Sequence, residues 1–368
     1  MVSPNKSEPS GSAPSGPLVL CRASLLSFWR ALGLLARALL PLAALGLLAL
    51  GALHMLYLRN PARTDGMRRY TIDYFIALEQ VERAATLPAA EVAFFGDSSC
   101  LMGIDPRSME LTLALRPVQS LCSIGYVGPA GYAHMLAGMI ERNAVPKVLV
   151  FMFHPATFRR ETDWEFWPAF VKNAGKAQSP SLRFPHSALD YLEFEWIGRL
   201  IYSPLPGAYG RYYGSEGEFR STIRARQGSA IDPNAGLNIP SLEALRPAAT
   251  PPAGTTTDFS WNEPYTDALK ILGKTIGTLP LQTRVYLVVS PVRDFSFRAE
   301  SKVQRDERAK QIAALLGIGN DRILPTPGAM FAAFFSNPSH LNRWGQVVFT
   351  NTLSKELAAK MAAEDKGR

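Results

Sequence analysis

The chain has 368 residues, enough for one large domain or two ordinary ones, and 47% of them are hydrophobic while 19% are charged. This balance excludes a globally disordered protein. The net charge of +8 would suit an anionic polymer or anionic lipid head groups. Because no zinc-finger spacing and no RNA-binding aromatic motif accompanies that charge, the sequence predicts no nucleic-acid partner.

The chain has three cysteines, Cys21, Cys100 and Cys122, and no C-x-x-C pair. The sequence therefore predicts no metal site and no cofactor. We interpret Cys100 and Cys122 as buried free thiols, with a disulfide between them in an oxidising compartment as the alternative.

The amino-terminal part of the sequence predicts a tail and a membrane anchor. Residues 1–23 are expected to be a disordered tail, and residues 24–58 a membrane-associated segment. Within it, residues 38–58 are apolar almost throughout and are long enough to span a hydrocarbon core about 30 Å thick. A cleaved signal peptide and a buried helix are the alternatives, but the length and late start of the run favour an uncleaved anchor. Basic residues flank both ends, so charge alone does not set the orientation.

The rest of the chain alternates between predicted helices and strands. Residues 59–90 are expected to form a lead-in segment with one helix. The alternation that follows predicts a parallel sheet with right-handed crossovers, in a domain made of residues 91–153 and 282–362. The expected strands cover residues 92–95, 118–121, 147–153, 284–289 and 322–324. Residues 154–281 break the pattern and are expected to be an inserted cap that shapes a substrate site, or a helical subcore filled by aromatic side chains.

Three short motifs lie where such a sheet would bring them together. Gly96-Asp97-Ser98 directly follows the first strand, a glycine-containing loop, 123–128, follows the second, and His340 precedes the last predicted helix. Ligands of open α/β sheets bind at the carboxyl ends of the strands, and a helix amino terminus there offers N–H groups to an oxyanion. The alternative for Ser98 is that it merely caps a helix.

This set of motifs resembles the SGNH (GDSL-like) hydrolase superfamily over roughly residues 88–153 and 282–360. The resemblance implies a three-layer α/β/α sandwich with a flavodoxin-like parallel sheet. It also implies that Ser98 is the nucleophile and His340 the general base. The N–H groups of Ser98 and Gly125 would form the oxyanion hole, with Gly128 as a substitute for the latter.

Two positions depart from the family pattern. The family has an acidic residue three positions before the histidine, where this chain has Asn337. Asn337 is expected to orient His340 through its amide oxygen, as in Cys-His-Asn enzymes; a Ser–His dyad or an outside carboxylate such as Asp294 is the alternative. The Gly-x-Asn-Asp block after the third strand is replaced by a segment containing His154, which either contributes an oxyanion contact or has only structural hydrogen bonds.

More narrowly, the chain is similar to membrane-anchored proteins that acylate cell-surface polymers, such as alginate O-acetyltransferase-like and teichoic acid D-alanylation proteins. That similarity implies a Ser98 acyl-enzyme, an acetyl group passed to an exported polysaccharide, and a multi-pass membrane acyltransferase as the partner that supplies it. It places a single-pass protein in a bacterial inner membrane, with its carboxyl-terminal domain in the periplasm. The side chains expected to stack on sugar rings are Trp164, Trp167, Tyr212 and Tyr213. A periplasmic carbohydrate esterase with the same site and a catalytically degenerate glycan-binding or scaffold protein are the alternatives.

Overall fold

A computed structural model describes residues 17–59, 72–114, 116–125, 127–155, 157, 205, 207–233, 266–294 and 299–367 of the chain. Its first element is one long helix, α1 (Pro17–Arg59), which begins within the predicted tail. The stretch Ser27–Ala52 of α1 has a mean hydropathy of 2.0, and none of it is buried. Its 26 residues would extend about 39 Å at the helical rise of 1.5 Å per residue. Helix α1 is therefore long and apolar enough to span a membrane.

The centre of the α/β domain is a parallel four-stranded sheet. Its strands are β1 (Val92–Gly96), β2 (Val118–Ser120), β3 (Val148–Phe153) and β4 (Arg284–Val289), in the order β2-β1-β3-β4. All residues of β1, β3 and β4 are buried, which is typical of parallel strands covered on both faces. The expected fifth strand is reduced to one parallel bridge, from Ile323 to Leu287 of β4. Two short strands, β5 (Val292–Arg293) and β6 (Ala329–Met330), pair separately.

Helices precede, connect and follow these strands. Those in the described part of the domain are α2 (Ile72–Thr86), α3 (Ser98–Gly103), α4 (Pro106–Thr112), α5 (Gly128–Glu141), α6 (Gly207–Tyr213), α7 (Glu216–Ala225), α8 (Thr266–Ile276), α9 (Ala299–Leu316) and α10 (Arg343–Lys366), with short 3-10 helices at Asn320–Arg322 and Ala332–Phe334. Helix α2 corresponds to the expected lead-in helix. The predicted parallel α/β architecture is confirmed.

Helices cover both faces of the sheet. On one face, the ring of Tyr132 from α5 packs against Phe95 and Phe153 of β1 and β3. On the other, the Met152 side chain of β3 reaches Gly103 at the end of α3. Because successive residues of a strand point to opposite faces, these contacts place α3 and α5 on different sides.

The described part of the expected insertion packs against elements of the α/β domain. Helix α8 packs against both α5 and α9 and supplies the helical crossover from β3 to β4. Its buried residues include Leu269 and Leu272, which explains why this helix joins the core. The segment after α7 also joins it, since Ser120 of β2 donates its N–H to Gln227. The remainder, with Trp164 and Trp167, lies outside the described residues.

Candidate active site

Ser98 is held at the sharp junction between β1 and α3. Asp97 is the N-cap of α3, and its Oδ1 accepts hydrogen bonds from N and Oγ of Ser99, at 2.9 and 2.6 Å. The capping role considered for Ser98 is therefore filled by Asp97. Gly96 lets the turn approach β3, because a Cβ at this position would lie 1.8 Å from the carbonyl oxygen of Met152. The local sequence thus presents Ser98 as the first residue of the helix.

The second oxygen of Asp97 fixes the segment that follows β3. Its Oδ2 accepts the backbone N–H of His154 at 2.7 Å and a hydrogen bond from the hydroxyl of Thr157. His154 is 4% exposed. The segment that replaces the expected third block is therefore anchored to the nucleophile turn, and the backbone N–H of His154 is directed to Asp97. An oxyanion contact from its side chain stays a prediction.

Ser98, His340 and Asp232 form a continuous series of hydrogen bonds. The Oγ of Ser98 lies 2.9 Å from Nε2 of His340. On the other side of the ring, Nδ1 of His340 lies 2.8 Å from Oδ2 of Asp232. The imidazole side chain is 19% exposed and the Asp232 side chain 1%. A nucleophile, a base within hydrogen-bond reach and a carboxylate that orients the base are the parts of a serine acyl-transfer site.

Asp232 takes the orienting role that was expected of Asn337. The amide oxygen of Asn337 accepts the backbone N–H groups of Ser339 and His340, both at 2.9 Å, so it does not face the imidazole. Its Nδ2 lies 2.8 Å from Asp232 Oδ2 and 2.8 Å from His340 Nδ1. The expectation for Asn337 is corrected because its NH₂ group holds the carboxylate, and the carboxylate holds the ring. The carboxylate beside Nδ1 of His340 belongs to Asp232 and not to Asp294, the outside acid considered from the sequence.

The backbone that carries Asp232 is held by Tyr213. The phenol oxygen of Tyr213 donates to the carbonyl of Ile231 at 2.6 Å and accepts the N–H of the same residue at 2.9 Å. Burial raises the pKa of Tyr213, so this hydroxyl keeps its proton. Tyr213 is 6% exposed, which leaves no open ring face for a sugar. Its expected stacking role is therefore corrected to a structural one, whereas Tyr212 is 40% exposed.

The loop that carries Gly125 is tied to the nucleophile turn at two points. Ser123 donates its N–H to the carbonyl of Gly96 at 2.7 Å. The neighbouring Cys122 forms a disulfide with Cys100 of α3, which corrects the free-thiol interpretation. Gly125 follows as a half-buried turn residue. Its N–H remains the predicted second oxyanion donor beside that of Ser98.

The His340 loop is closed by backbone hydrogen bonds. The carbonyl of His340 accepts the N–H of Ser336 at 2.9 Å. Asn342 then caps α10, since its Oδ1 accepts the N–H groups of Trp344 and Gly345, both at 3.0 Å. A Cβ at Gly345 would lie 2.2 Å from the carbonyl oxygen of Phe334, which explains the glycine at this position. The imidazole is therefore presented by a closed loop on a capped helix.

The predicted nucleophile Ser98 and the predicted base His340 lie within hydrogen-bond distance of each other, whereas Asp232 was not predicted from the sequence. Asp232 lies 108 residues before His340 in the chain, in a stretch without strand or helix periodicity. Among the described residues, no group of three or more His, Cys, Asp or Glu side chains is arranged to hold a metal ion. No match was found when the chain was compared with protein-family models, curated proteins and solved structures.

Proposed function

We propose that this protein is a serine acyltransferase that forms an acyl-enzyme on Ser98. The observation that carries the proposal is the hydrogen-bonded series Ser98–His340–Asp232. Nε2 of His340 takes the proton of Ser98 as Oγ attacks the carbonyl carbon of an acyl donor. Asp232 holds the imidazole in one tautomer and stabilises the imidazolium. The proton then passes from Nε2 to the leaving group, and the acyl group remains on Ser98.

The second half of the reaction reverses these steps with a new acceptor. His340 takes the proton of an acceptor hydroxyl, whose oxygen attacks the acyl-enzyme carbonyl. Ser98 leaves and regains a proton from His340. The oxyanion of both tetrahedral intermediates would be bound by the N–H groups of Ser98 and Gly125. A single such donor contributes about 10²–10³ in turnover in enzymes of this kind.

The topology supports membership of the SGNH hydrolase superfamily with its three-layer sandwich. The strand order β2-β1-β3-β4, extended by the Ile323 bridge beside β4, follows the flavodoxin-like order 2-1-3-4-5. Ser98 follows the carboxyl end of β1, where ligands of such sheets bind. The complete Ser–His–Asp series also argues against the degenerate binding domain considered from the sequence.

The cellular setting we propose is the outer face of a bacterial inner membrane. Two observations support it: the exposed apolar helix α1, and a disulfide of the kind that persists in oxidising compartments. There, the acceptor would be a hydroxyl of an exported polysaccharide, and a multi-pass membrane acyltransferase would supply the acyl group, most simply acetyl. Water in place of the sugar hydroxyl would make the same site an esterase.

The proposal is tested with the full chain in detergent micelles. We expect cleavage of p-nitrophenyl acetate and a transient acetyl adduct in the intact-protein mass, and we expect Ser98→Ala to abolish both. Ser99→Ala is the matched control, since its hydroxyl donates to Asp97 and lies outside the series. Equal cleavage by wild type and Ser98→Ala, with no adduct on either, would refute the proposed function. Adding an oligosaccharide acceptor then separates transfer from hydrolysis by the product formed.

A further inference from the structure

A buried charge cluster joins α2 to α7, on the same chain segment that leads to Asp232. The Glu79 side chain of α2 has no exposed surface. Its Oε2 accepts from Nε of Arg220 at 2.8 Å, and its Oε1 accepts from Nε of Arg224 at 2.6 Å. Glu82, one turn further along α2, contacts the same two arginines. Both guanidinium groups of α7 therefore converge on one face of α2.

The cluster continues into the turn that follows α7. Gln80 of α2 donates to the carbonyl of Gly228 at 2.7 Å. Gly228 has φ of +93°, and a Cβ there would lie 1.8 Å from the carbonyl oxygen of Ser120, so the turn fits closely against β2. Asp232 comes four residues after Gly228 in the chain. The distance between Asp232 and His340 is therefore linked, through this turn, to the position of α7 on α2.

The segment between this turn and Asp232 is also held from the side of α10. Gln346 donates from Nε2 to the carbonyl of Ala230 at 3.1 Å and to Oγ of Ser229 at 3.2 Å. Its Oε1 accepts from Nη2 of Arg226 at 2.8 Å. Because α10 begins three residues after His340, Gln346 fixes the acid segment relative to the base. The position of α7 on α2 is set separately, by the charge cluster.

A buried ion cluster contributes little net stability, because desolvation of the charges offsets their attraction. The charge-assisted hydrogen bonds are directional, and the two arginines approach different oxygens of the Glu79 carboxylate. They therefore favour one register of α7 on α2 more strongly than an apolar contact would. We propose that Glu79 is a positioning residue of the acyl-transfer site, acting through Arg220 and Arg224 to place Asp232 against His340. This inference rests on the proposed function of Ser98.

The test uses Glu79→Gln in the full chain, with p-nitrophenyl acetate as substrate. We expect kcat to fall about 10- to 100-fold, the loss caused by misplacing a catalytic group by about 1 Å, with KM unchanged. In a Asp232→Asn background the same substitution should change the Ser98-dependent rate less than twofold, because the residue through which Glu79 acts is already disabled. Lys310→Gln on α9 is the control, since it removes an exposed ion pair with Glu307 and should leave kcat unchanged.

Arg224→Gln decides the question if Glu79→Gln does not fold. The Arg224 side chain is 56% exposed and Glu79 keeps Arg220, so this variant retains a paired carboxylate. We expect a smaller fall in kcat, again absent in the Asp232→Asn background. An unchanged kcat in either folded variant, or an equal loss in both backgrounds, would overturn the inference. A wild-type protein with no Ser98-dependent activity would instead overturn the proposed function.

Discussion

Asn337 and Asp232 both help to hold the His340 ring, Asp232 by direct contact and Asn337 through its hydrogen bond to Asp232. The amide nitrogen donates to the carboxylate at 2.8 Å, and the carboxylate oxygen lies 2.8 Å from Nδ1 of the ring. The pair is complementary because one partner only donates at this contact and the other only accepts. A second acid at position 337 would remove the donor and add a negative charge beside the first. At the scale of single residues, the contacts therefore require a neutral donor at position 337 and a carboxylate at position 232.

This complementarity predicts that an acid at position 337 lowers the proposed Ser98-dependent activity. In Asn337→Asp two carboxylates would face each other at hydrogen-bond distance, and both can be ionised only at a large electrostatic cost. We expect Ser98-dependent cleavage of p-nitrophenyl acetate to fall roughly tenfold or more at pH 7.5. Asp232→Asn alone should lose about 10⁴ in turnover, the magnitude measured for the equivalent change in a serine protease.

The exchanged pair is the informative control. Asn337→Asp combined with Asp232→Asn restores one donor and one acceptor, with the acid now three residues before the histidine. We expect its turnover to exceed that of Asp232→Asn by at least tenfold and that of Asn337→Asp by a smaller factor. If Asp232→Asn alone were as active as wild type, Asp232 could not be the residue that orients His340.

At the scale of elements, local sequence patterns were enough to predict the buried strands of the sheet. Strands β1, β3 and β4 are apolar runs that are buried along their whole length, and β4 was predicted with its observed bounds. The fifth strand was overestimated because its short apolar run makes only one bridge. Asp232 could not be predicted, because it is placed by contacts with distant residues, such as Ile231 with Tyr213 and Ala230 with Gln346. Contacts between distant residues produce no helical or strand periodicity from which they could be predicted.

The junction between α6 and the Asp232 segment gives a prediction about stability. Tyr213→Phe removes the hydroxyl that serves both the N–H and the carbonyl of buried Ile231. Leaving such groups without this partner should lower the free energy of unfolding by about 1–3 kcal/mol. Urea denaturation of the detergent-solubilised protein measures it. Tyr212→Phe, on the exposed neighbouring ring, should change it by less than about 0.5 kcal/mol. Equal effects of the two substitutions would contradict the structural role given to Tyr213.

At the scale of the whole molecule, the disulfide links two strand ends of the sheet. Cys100 follows β1 and Cys122 follows β2, and the two cysteines are 22 positions apart in sequence. In the loop-entropy account, removing a cross-link of this size costs about 3 kcal/mol. We therefore expect Cys100→Ala combined with Cys122→Ala to lower the free energy of unfolding by about that amount, measured by urea denaturation. Cys21→Ala should leave the free energy of unfolding unchanged. A reductant should lower it in the wild type but not in the double variant. If the reductant left the wild-type value unchanged, the two thiols would be free.

The disulfide and the membrane helix together make one prediction about location. If α1 spans the membrane with its amino terminus inside, the α/β domain lies in a compartment where disulfides persist, so the cysteine pair should be oxidised in the cell. We expect a reporter enzyme that needs disulfides to fold to be active when fused after Arg368 in bacterial cells. We also expect Cys100 and Cys122 to resist alkylation in denatured cell extracts until a reductant is added. Polar substitutions that shorten the apolar stretch Ser27–Ala52 should abolish both the reporter activity and the resistance to alkylation, because both depend on insertion of this helix into the membrane. An inactive reporter with alkylated cysteines would place the domain in the cytoplasm, where an exported polysaccharide cannot be the acceptor.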